Sequence, residues 1–350
     1  MLSLPSQLLI RNLDLFAEGQ WAIVNPSDVH IFSEIESDKV VGLHQMFDMY
    51  QGASNISKHK QYYAADFTAI PALKENKLDG AVIYLPKAKQ HLDLLIHQLN
   101  DLLKIGGQLL VVGENKAGIK SVGKLLEKLG STVNKIDGAK HCGLICVTKE
   151  NEASKAFNLE SNGVIRTYSV NDLPVKVFSL PGVFGHKQFD PGTQLLLSEL
   201  APKSDRLLAL RGNILDFACG TGIIGTYLLK ANAHVKLVMS DVSALATYCA
   251  KKTLELNEVE AQVIDSDGLN EVSGTFDAVV SNPPFHTGIK TNYDITQQFI
   301  VDAHKQTRPR GKLMIVANRF LPYADTLSKQ YFKSQTVLQT NKFSIYEAAK

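Results

Sequence analysis

From Gly212 to Asn318 the chain alternates short, uninterrupted apolar runs with stretches of helical spacing, and this alternation restricts the fold more than any other feature. The runs GNILDFACG, VKLVMSD, QVIDSD, FDAVVSN and GKLMIVAN read as strands, while TGIIGTYLLKAN, SALATYCAKKTLELN and DITQQFIVDAHKQT read as helices. A strand that is apolar throughout is buried on both faces, and strand–helix–strand succession joins parallel neighbours. The expectation is a mostly parallel sheet with helices on both sides.

The amino-terminal half echoes the same order. KLDGAVIYLPKAKQ can be laid on TFDAVVSNPPFHTG, DLLKIGGQLLVVGEN on KQTRPRGKLMIVANR, and GQWAIVNPSD takes the place of GNILDFACGTG. A length of 350 residues suits two domains. The expected fold class is therefore α/β, two tandem Rossmann-like domains from an internal duplication, spanning 1–155 and 164–350. The amino-terminal copy reads as degenerate: the glycine pair is replaced by Asn-Pro-Ser-Asp, and Asn-Pro-Pro-Phe by Leu-Pro-Lys-Ala. The polar stretch KENEASKAFNLESNG reads as the linker region, and VIRTYSV and VKVFSLPG, flanking Asn171 and Asp172, as a hairpin that introduces the second domain.

The formal net charge is only +2, so any nucleic-acid contact has to come from a local patch. Lys290, Arg308, Arg310, Lys312 and Arg319 are candidates for one, against the plain reading of a charged solvated face. The amino terminus lacks a basic region ahead of its apolar residues, and no apolar run approaches the roughly 20 residues of a bilayer span. A soluble, cytoplasmic protein is expected. Cys142 and Cys146, in the strand-like CGLIC, read as two buried thiols rather than a metal or redox pair.

Two motifs carry chemistry. DFACGTG, Asp216 to Gly222, ends the first strand of the second sheet, with Gly220 and Gly222 permitting a tight turn and close backbone approach to a ligand at a helix start. GTGIIG also satisfies the dinucleotide G-x-G-x-x-G pattern, so a nicotinamide site has to be weighed. Asp216 weighs against it, being poorly placed beside a pyrophosphate and well placed for the ammonium end of an amino-acid cofactor. Asp241, closing the second strand, suits ribose hydroxyls in either case. Asp267 can accept from an adenine amine, although Asp-Gly is also ordinary turn chemistry.

The second motif is SNPPF. Adjacent prolines fix two φ angles and remove two donors, which leaves the carbonyls of Asn282 and Pro283 as acceptors with no competing N–H, and the Asn282 side chain adds another. Paired acceptors orient an exocyclic amine and stabilise the positive charge that builds on its nitrogen during attack on a methyl group. Phe285 offers a face for a base extruded into a pocket. His286 reads either as a general base or as a loop contact to substrate.

DFACGTG, the Asp241 strand end and SNPPF together resemble the class I S-adenosylmethionine-dependent methyltransferases acting on planar amino groups. With the duplication and GVFGHKQFDPGTQLLLSEL they are similar to the guanine-N2 methyltransferases of small-subunit ribosomal RNA. The resemblance implies S-adenosylmethionine as cofactor, with Asp216, Gly220 and Gly222 at its methionine end, Asp241 at its ribose and Asp267 near its adenine. It also implies Asn282, Pro283, Pro284 and Phe285 as the catalytic loop, and Phe189 to Thr193 as a segment closing the cofactor pocket. The implied substrate is 16S rRNA, within the 30S subunit, for a monomeric enzyme that needs no metal. The same chemistry on a 23S guanine, on adenine or on a protein glutamine amide is the alternative within enzymes, and a non-catalytic RNA-binding or assembly protein the alternative outside them.

Overall fold

The computed structural model describes residues 2–284, 289–321 and 323–350, with 289–296 described in the backbone only. The chain divides into two units, Met1–Asn162 and Gly163–Lys350, each built on a seven-stranded sheet. The first contains β1 (Trp21–Val24), β2 (Val40–His44), β3 (Gln61–Tyr63), β4 (Leu78–Tyr84), β5 (Leu103–Glu114), β6 (Val133–Asp137) and β7 (Cys142–Thr148), in the order β3-β2-β1-β4-β5-β7-β6.

The second unit begins with a hairpin of β8 (Val164–Val170) and β9 (Leu173–Ser179), turned by Asn171 and Asp172 at φ 47° and 66°. Positive φ at both central residues matches the right-handed twist of the flanking strands. The sheet that follows contains β10 (Gly212–Phe217), β11 (Val235–Asp241), β12 (Gln262–Asp265), β13 (Phe276–Ser281), β14 (Thr307–Asn318), β15 (Lys333–Gln339) and β16 (Phe343–Ala349). Its order, β12-β11-β10-β13-β14-β16-β15, is that of the first sheet once β1 is set on β10. Parallel pairing runs through β5 in one sheet and β14 in the other, and an antiparallel hairpin closes that edge in each.

The two units share individual contacts as well as topology. Each has one register irregularity in its parallel pairing, between Leu78 and Gly80 in β4 and between Phe276 and Ala278 in β13, and another in its antiparallel hairpin. The aspartate at the first of these ties the sheet's amino edge together. Asp79 accepts from the Gln20 N–H at 2.7 Å and from Lys104 at 2.7 Å, and Asp277 accepts from the Asn213 N–H at 2.8 Å and from Arg308 at 2.8 Å. Ahead of these amides stand Gly19 and Gly212, both at φ 78°, where a Cβ would come within 2.7 Å of Asp79 and 2.2 Å of Asp277.

Lys149 and Lys350 form a further matched pair. Lys149 Nζ donates to the carbonyls of Asn100 and Leu103 at 2.7 and 3.0 Å, and Lys350 Nζ to those of His304 and Thr307 at 2.7 and 2.9 Å. Each lysine satisfies carbonyls left open where a helix runs into the next strand. Lys149 is therefore fully buried structure rather than the first residue of a polar linker. Register also shifts one detail of the duplication: Tyr84 stands at the position of Asn282, followed by Leu85 and Pro86 at those of Pro283 and Pro284.

Both sheets have apolar clusters on each face. In the second unit one side gathers Ile214, Leu237, Met239 and Val280 with Tyr227 and Ala250, and the other Leu215, Val279 and Leu313 with Phe299 and Tyr323. All four cysteines are buried and free, and burial pushes the Cys146 thiol up to about 11, so this sulfur is a small apolar side chain at neutral pH. Among the described residues no helix is long and apolar enough to cross a membrane.

Candidate active site

The parallel strands of the second unit present their carboxyl ends along one edge, where the crevice of an open α/β sheet lies. β10 ends at Phe217, and the chain turns through Ala218 (φ 53°), Gly220 (φ 55°) and Gly222 (φ 78°) into the helix Ile223–Ala231. The glycines differ in what requires them. A Cβ on Gly222 would come 3.0 Å from Ala250, and one on Gly225 2.3 Å from Leu237 and 2.4 Å from Met239, so both admit close packing. Around Gly220 a Cβ would meet nothing within 4 Å. Its backbone borders open space.

The carboxylates of this corner lie behind the turn. Asp216 is fully buried; its Oδ2 accepts from the Gly225 N–H at 2.9 Å, while its Oδ1 has no partner. Desolvation pushes its pKa up to about 8, only partly opposed by the Gly225 hydrogen bond. Asp241 accepts from the Gly220 N–H at 2.9 Å and the Ser243 N–H at 3.0 Å, and burial raises its pKa as well. A carboxylate has about four acceptor sites, so the backbone bonds from Gly220, Val242 and Ser243 leave Asp241 capacity for a further donor.

β12 brings Asp265 into register beside Asp241, and its Oδ1 accepts from Thr247 at 2.7 Å. The sequence reading missed this acid because Asp267, in front of glycine, drew attention first. Asp267 is exposed, and its backbone N–H donates to Glu271 at 2.9 Å.

At the end of β13, Ser281 Oγ donates to the Phe217 carbonyl at 2.7 Å, tying the two strand ends together. The next residue is the most informative of the site. Asn282 Nδ2 donates to Asp190 Oδ2 at 2.9 Å and to Thr193 Oγ1 at 2.8 Å, and its Oδ1 is buried without a partner. Asp190 caps the helix Pro191–Ser198, its Oδ2 also accepting from the Thr193 N–H at 2.8 Å. With both amide hydrogens engaged, the side-chain carbonyl is held as a fixed acceptor. Pro283 is buried and Pro284 exposed. Phe285 and His286 lie outside the described residues.

A narrow cleft, open at its mouth, joins these parts. Ala218, Gly220, Thr221, Asp190, Thr193 and Asn282 line it, facing Tyr168 and Phe189, whose rings stand 4.8 Å apart. The structure thus brings Gly220 and Asn282 to one wall, with Asp216, Gly222 and Asp241 behind it. Of the basic residues singled out in the sequence, Arg308, Arg310 and Lys312 lie near the amino end of β14, where Arg308 pairs with Asp277 and Lys312 with Glu347, whereas Arg319 follows its carboxyl end; the side chain of Lys290 lies outside the described residues.

The first unit has the same corner with different contents. Register puts Ile23 at the position of Asp216 and His44 at that of Asp241. Gln45, almost fully buried, donates to the Ala65 carbonyl at 3.1 Å and accepts from Asn25 Nδ2 at 3.0 Å. His91 Nε2 stands 2.7 Å from Gln45 Oε1, and desolvation holds its pKa down at about 4, so the neutral ring donates there. Gln45, Asn25 and His91 satisfy one another where the second unit has a cleft, while the buried His44 Nδ1 has no partner among the described residues.

An unpartnered buried carboxylate oxygen, an open-faced glycine turn and a ribose-competent aspartate fit a cationic amino-acid nucleoside, and together define a class I methyltransferase site. The family described as Methyltransferase small domain matches residues 174–347, and Methyltransferase small domain N-terminal matches 6–166. Ribosomal RNA small subunit methyltransferase C of Pseudoalteromonas atlantica is 46% identical, with 99% of each chain covered, and that of Alteromonas mediterranea is 40% identical over the same shares. The chain belongs to the ribosomal RNA small subunit methyltransferase C family. The solved T. thermophilus 16S rRNA N2 methyltransferase, in complex with AdoMet and guanosine, shares the fold at a TM-score of 0.85 and 23% identity, over 99% of this chain and 92% of that one.

Proposed function

We propose that the protein transfers a methyl group from S-adenosylmethionine to the exocyclic N2 of a guanine in 16S rRNA. The observation that carries this reading is the locked Asn282 amide, whose buried Oδ1 lacks a partner on the wall that also holds Gly220. Bound S-adenosylmethionine supplies a methyl group on a sulfonium, an electrophile that needs no metal.

The chain's residues do the rest. Asp216 takes the ammonium of the methionine end, Gly220 lets the backbone approach, and Asp241 accepts from ribose hydroxyls. Asp267 and the neighbouring Asp265 are the acceptors for the adenine edge. Asn282 Oδ1 and the Pro283 carbonyl accept the two hydrogens of the amine, aim its lone pair at the methyl carbon and stabilise positive charge on nitrogen as the bond forms. Pro284 stiffens the loop, and Phe285 supplies the stacking face. The proton leaves to water after transfer.

The first unit serves as a scaffold with some RNA contact, since its equivalent corner is filled by Gln45, Asn25 and His91. The protein works as a cytoplasmic monomer on 16S rRNA assembled in the 30S subunit. Radiolabelled S-adenosylmethionine offered with naked 16S rRNA, 30S subunits, 23S rRNA and 50S subunits tests this. Label is expected in guanine N2 of 16S rRNA, most strongly in 30S subunits. Label confined to 23S rRNA keeps the chemistry and overturns the substrate; label on protein alone overturns both.

A further inference from the structure

Phe320 is 78% exposed, and it follows the carboxyl end of β14, the strand beside the one that carries Asn282. Ser281 lies opposite Ile315, and at about 3.3 Å per residue Asn318 ends roughly 10 Å farther along, so Phe320 projects beyond the same carboxyl edge of the sheet that bears the cleft. A single exposed apolar side chain is ordinary by itself, so its neighbours decide what this one is for.

Its neighbours are cations. Arg319 is exposed and its backbone N–H donates to the Lys342 carbonyl at 2.9 Å, which brings the loop after β14 against the β15–β16 hairpin. The Lys342 ammonium stands 5.3 Å from the Phe343 ring centroid. Phe343 in turn lies against Gly192, where a Cβ would come within 3.2 Å of the ring, in the helix whose cap holds Asn282. Among the described residues neither Arg319 nor Lys342 is paired with a carboxylate, in contrast to Arg308 and Lys312 at the other end of the strand.

We propose that Phe320, Arg319 and Lys342 form a docking surface for single-stranded RNA next to the target base, Phe320 stacking on a flanking base and the two cations meeting its phosphates. An exposed aromatic ring flanked by unpaired cations is how sequence-tolerant single-strand binding is built. A base extruded into the Asn282 cleft needs its neighbours held outside it. The surface deepens the reading of the cleft as an rRNA methyltransferase site and rests on it.

The molecule contains its own control. Phe332 is 98% exposed but precedes β15 at the opposite edge, since Lys333 pairs with Ala349 and Ala349 with Lys312. The test uses the full chain, a fluorescein-labelled single-stranded RNA 12-mer with a central guanine, and fluorescence anisotropy. Phe320→Ala is expected to raise Kd about 10-fold, Phe320→Tyr to restore it, and Phe332→Ala to leave it unchanged. The Arg319→Ala/Lys342→Ala pair is expected to flatten the log Kd against log salt slope by about 1.4.

Circular dichroism should be the same for all variants, because the substituted side chains are exposed. A Phe320→Ala protein binding within twofold of wild type, or weakened no more than Phe332→Ala, overturns the surface, as does a wild-type protein that does not bind the RNA. Methyl transfer to 16S rRNA is followed in parallel. RNA binding that depends on Phe320 without any transfer sinks the reaction and supports the surface; transfer with an unchanged KM and Kd in Phe320→Ala does the reverse.

Discussion

The side-chain nitrogen of Asn282 lies 2.9 Å from Asp190 Oδ2, across 92 residues of sequence, and this contact decides which end of the amide faces the cleft. Thr193 Oγ1 accepts the other hydrogen at 2.8 Å. An asparagine with only one amide hydrogen engaged could turn over. With both engaged, turning would set its carbonyl against a carboxylate, so the acceptor is fixed before any substrate arrives, which is the preorganisation that favours a charged transition state.

Asn282→Ala is accordingly expected to lower kcat about 100-fold, with cofactor affinity changed less than threefold in equilibrium binding. Thr193→Val removes an acceptor while keeping shape, and should lower kcat about 10-fold with KM for RNA little changed. Asp190→Ala removes a helix cap too, at a cost of about 1 kcal/mol, and should lower the thermal midpoint as well as kcat. If Thr193→Val turns over like wild type, the amide is not held in the way described.

Binding of S-adenosylmethionine should release protons near neutral pH. Asp216 is pushed up to about 8, so without a cation beside it the carboxyl is largely protonated at pH 7, and an ammonium brought to its unpartnered Oδ1 drives it to ionise. Calorimetry in two buffers of different ionisation enthalpy measures the release, expected at about 0.5 to 1 proton and fading above about pH 9. Asp216→Asn should abolish it and weaken binding at least about 10-fold. Release unaffected by that substitution would assign the proton elsewhere.

The same shift predicts how the free protein responds to pH. The folded-state pKa is raised above the unfolded value near 3.8, so the folded state holds a proton that the unfolded chain gives up. Stability then falls as pH rises from about 4 through about 8 and levels off above it. Asp241 is shifted in the same direction. Thermal melts of the ligand-free protein between pH 5 and 9 should show this decline, and Asp216→Asn should flatten it.

Two glycine substitutions separate packing from ligand approach. Gly225→Ala drives a methyl group into Leu237 and Met239 and should destabilise the second unit by about 1–3 kcal/mol. Gly220→Ala meets nothing, so only the strain of φ 55° applies, about 1–2 kcal/mol. Its main effect should appear as weaker cofactor binding. Equal binding losses in both variants would contradict the open face of Gly220.

Much of this was legible in the sequence, for reasons that are physical. Buried parallel strands are apolar along their whole length, so β10, β11, β13 and β14 announced themselves, and Asp79 with Asp277 kept the two halves in alignment. Asn282 and the prolines stood out because their oddity is local. The segment Phe189 to Thr193 was named through the resemblance, but the hold of Asp190 and Thr193 on Asn282 was not, since it depends on a partner some 90 residues away. Lys149 was misread for a related reason: a lysine at the start of a polar stretch looks solvated, and only the packed helix end shows the carbonyls it meets. Asp265 was passed over because strand register, invisible in a single sequence, is what sets it beside Asp241.

The Gln45 cluster of the first unit gives the duplication a direction. A binding corner emptied of its ligand leaves donors and acceptors without partners, a standing cost of about 1–3 kcal/mol for each buried group. Gln45 meets Asn25, Ala65 and His91 at once, which leaves His44 Nδ1 as the buried group of this corner without a partner among the described residues. Retreat from the filled corner would require several matched substitutions together, because each one alone strands the others. On the scaffold role proposed for the first unit, these hydrogen bonds act as a ratchet against a return to ligand binding.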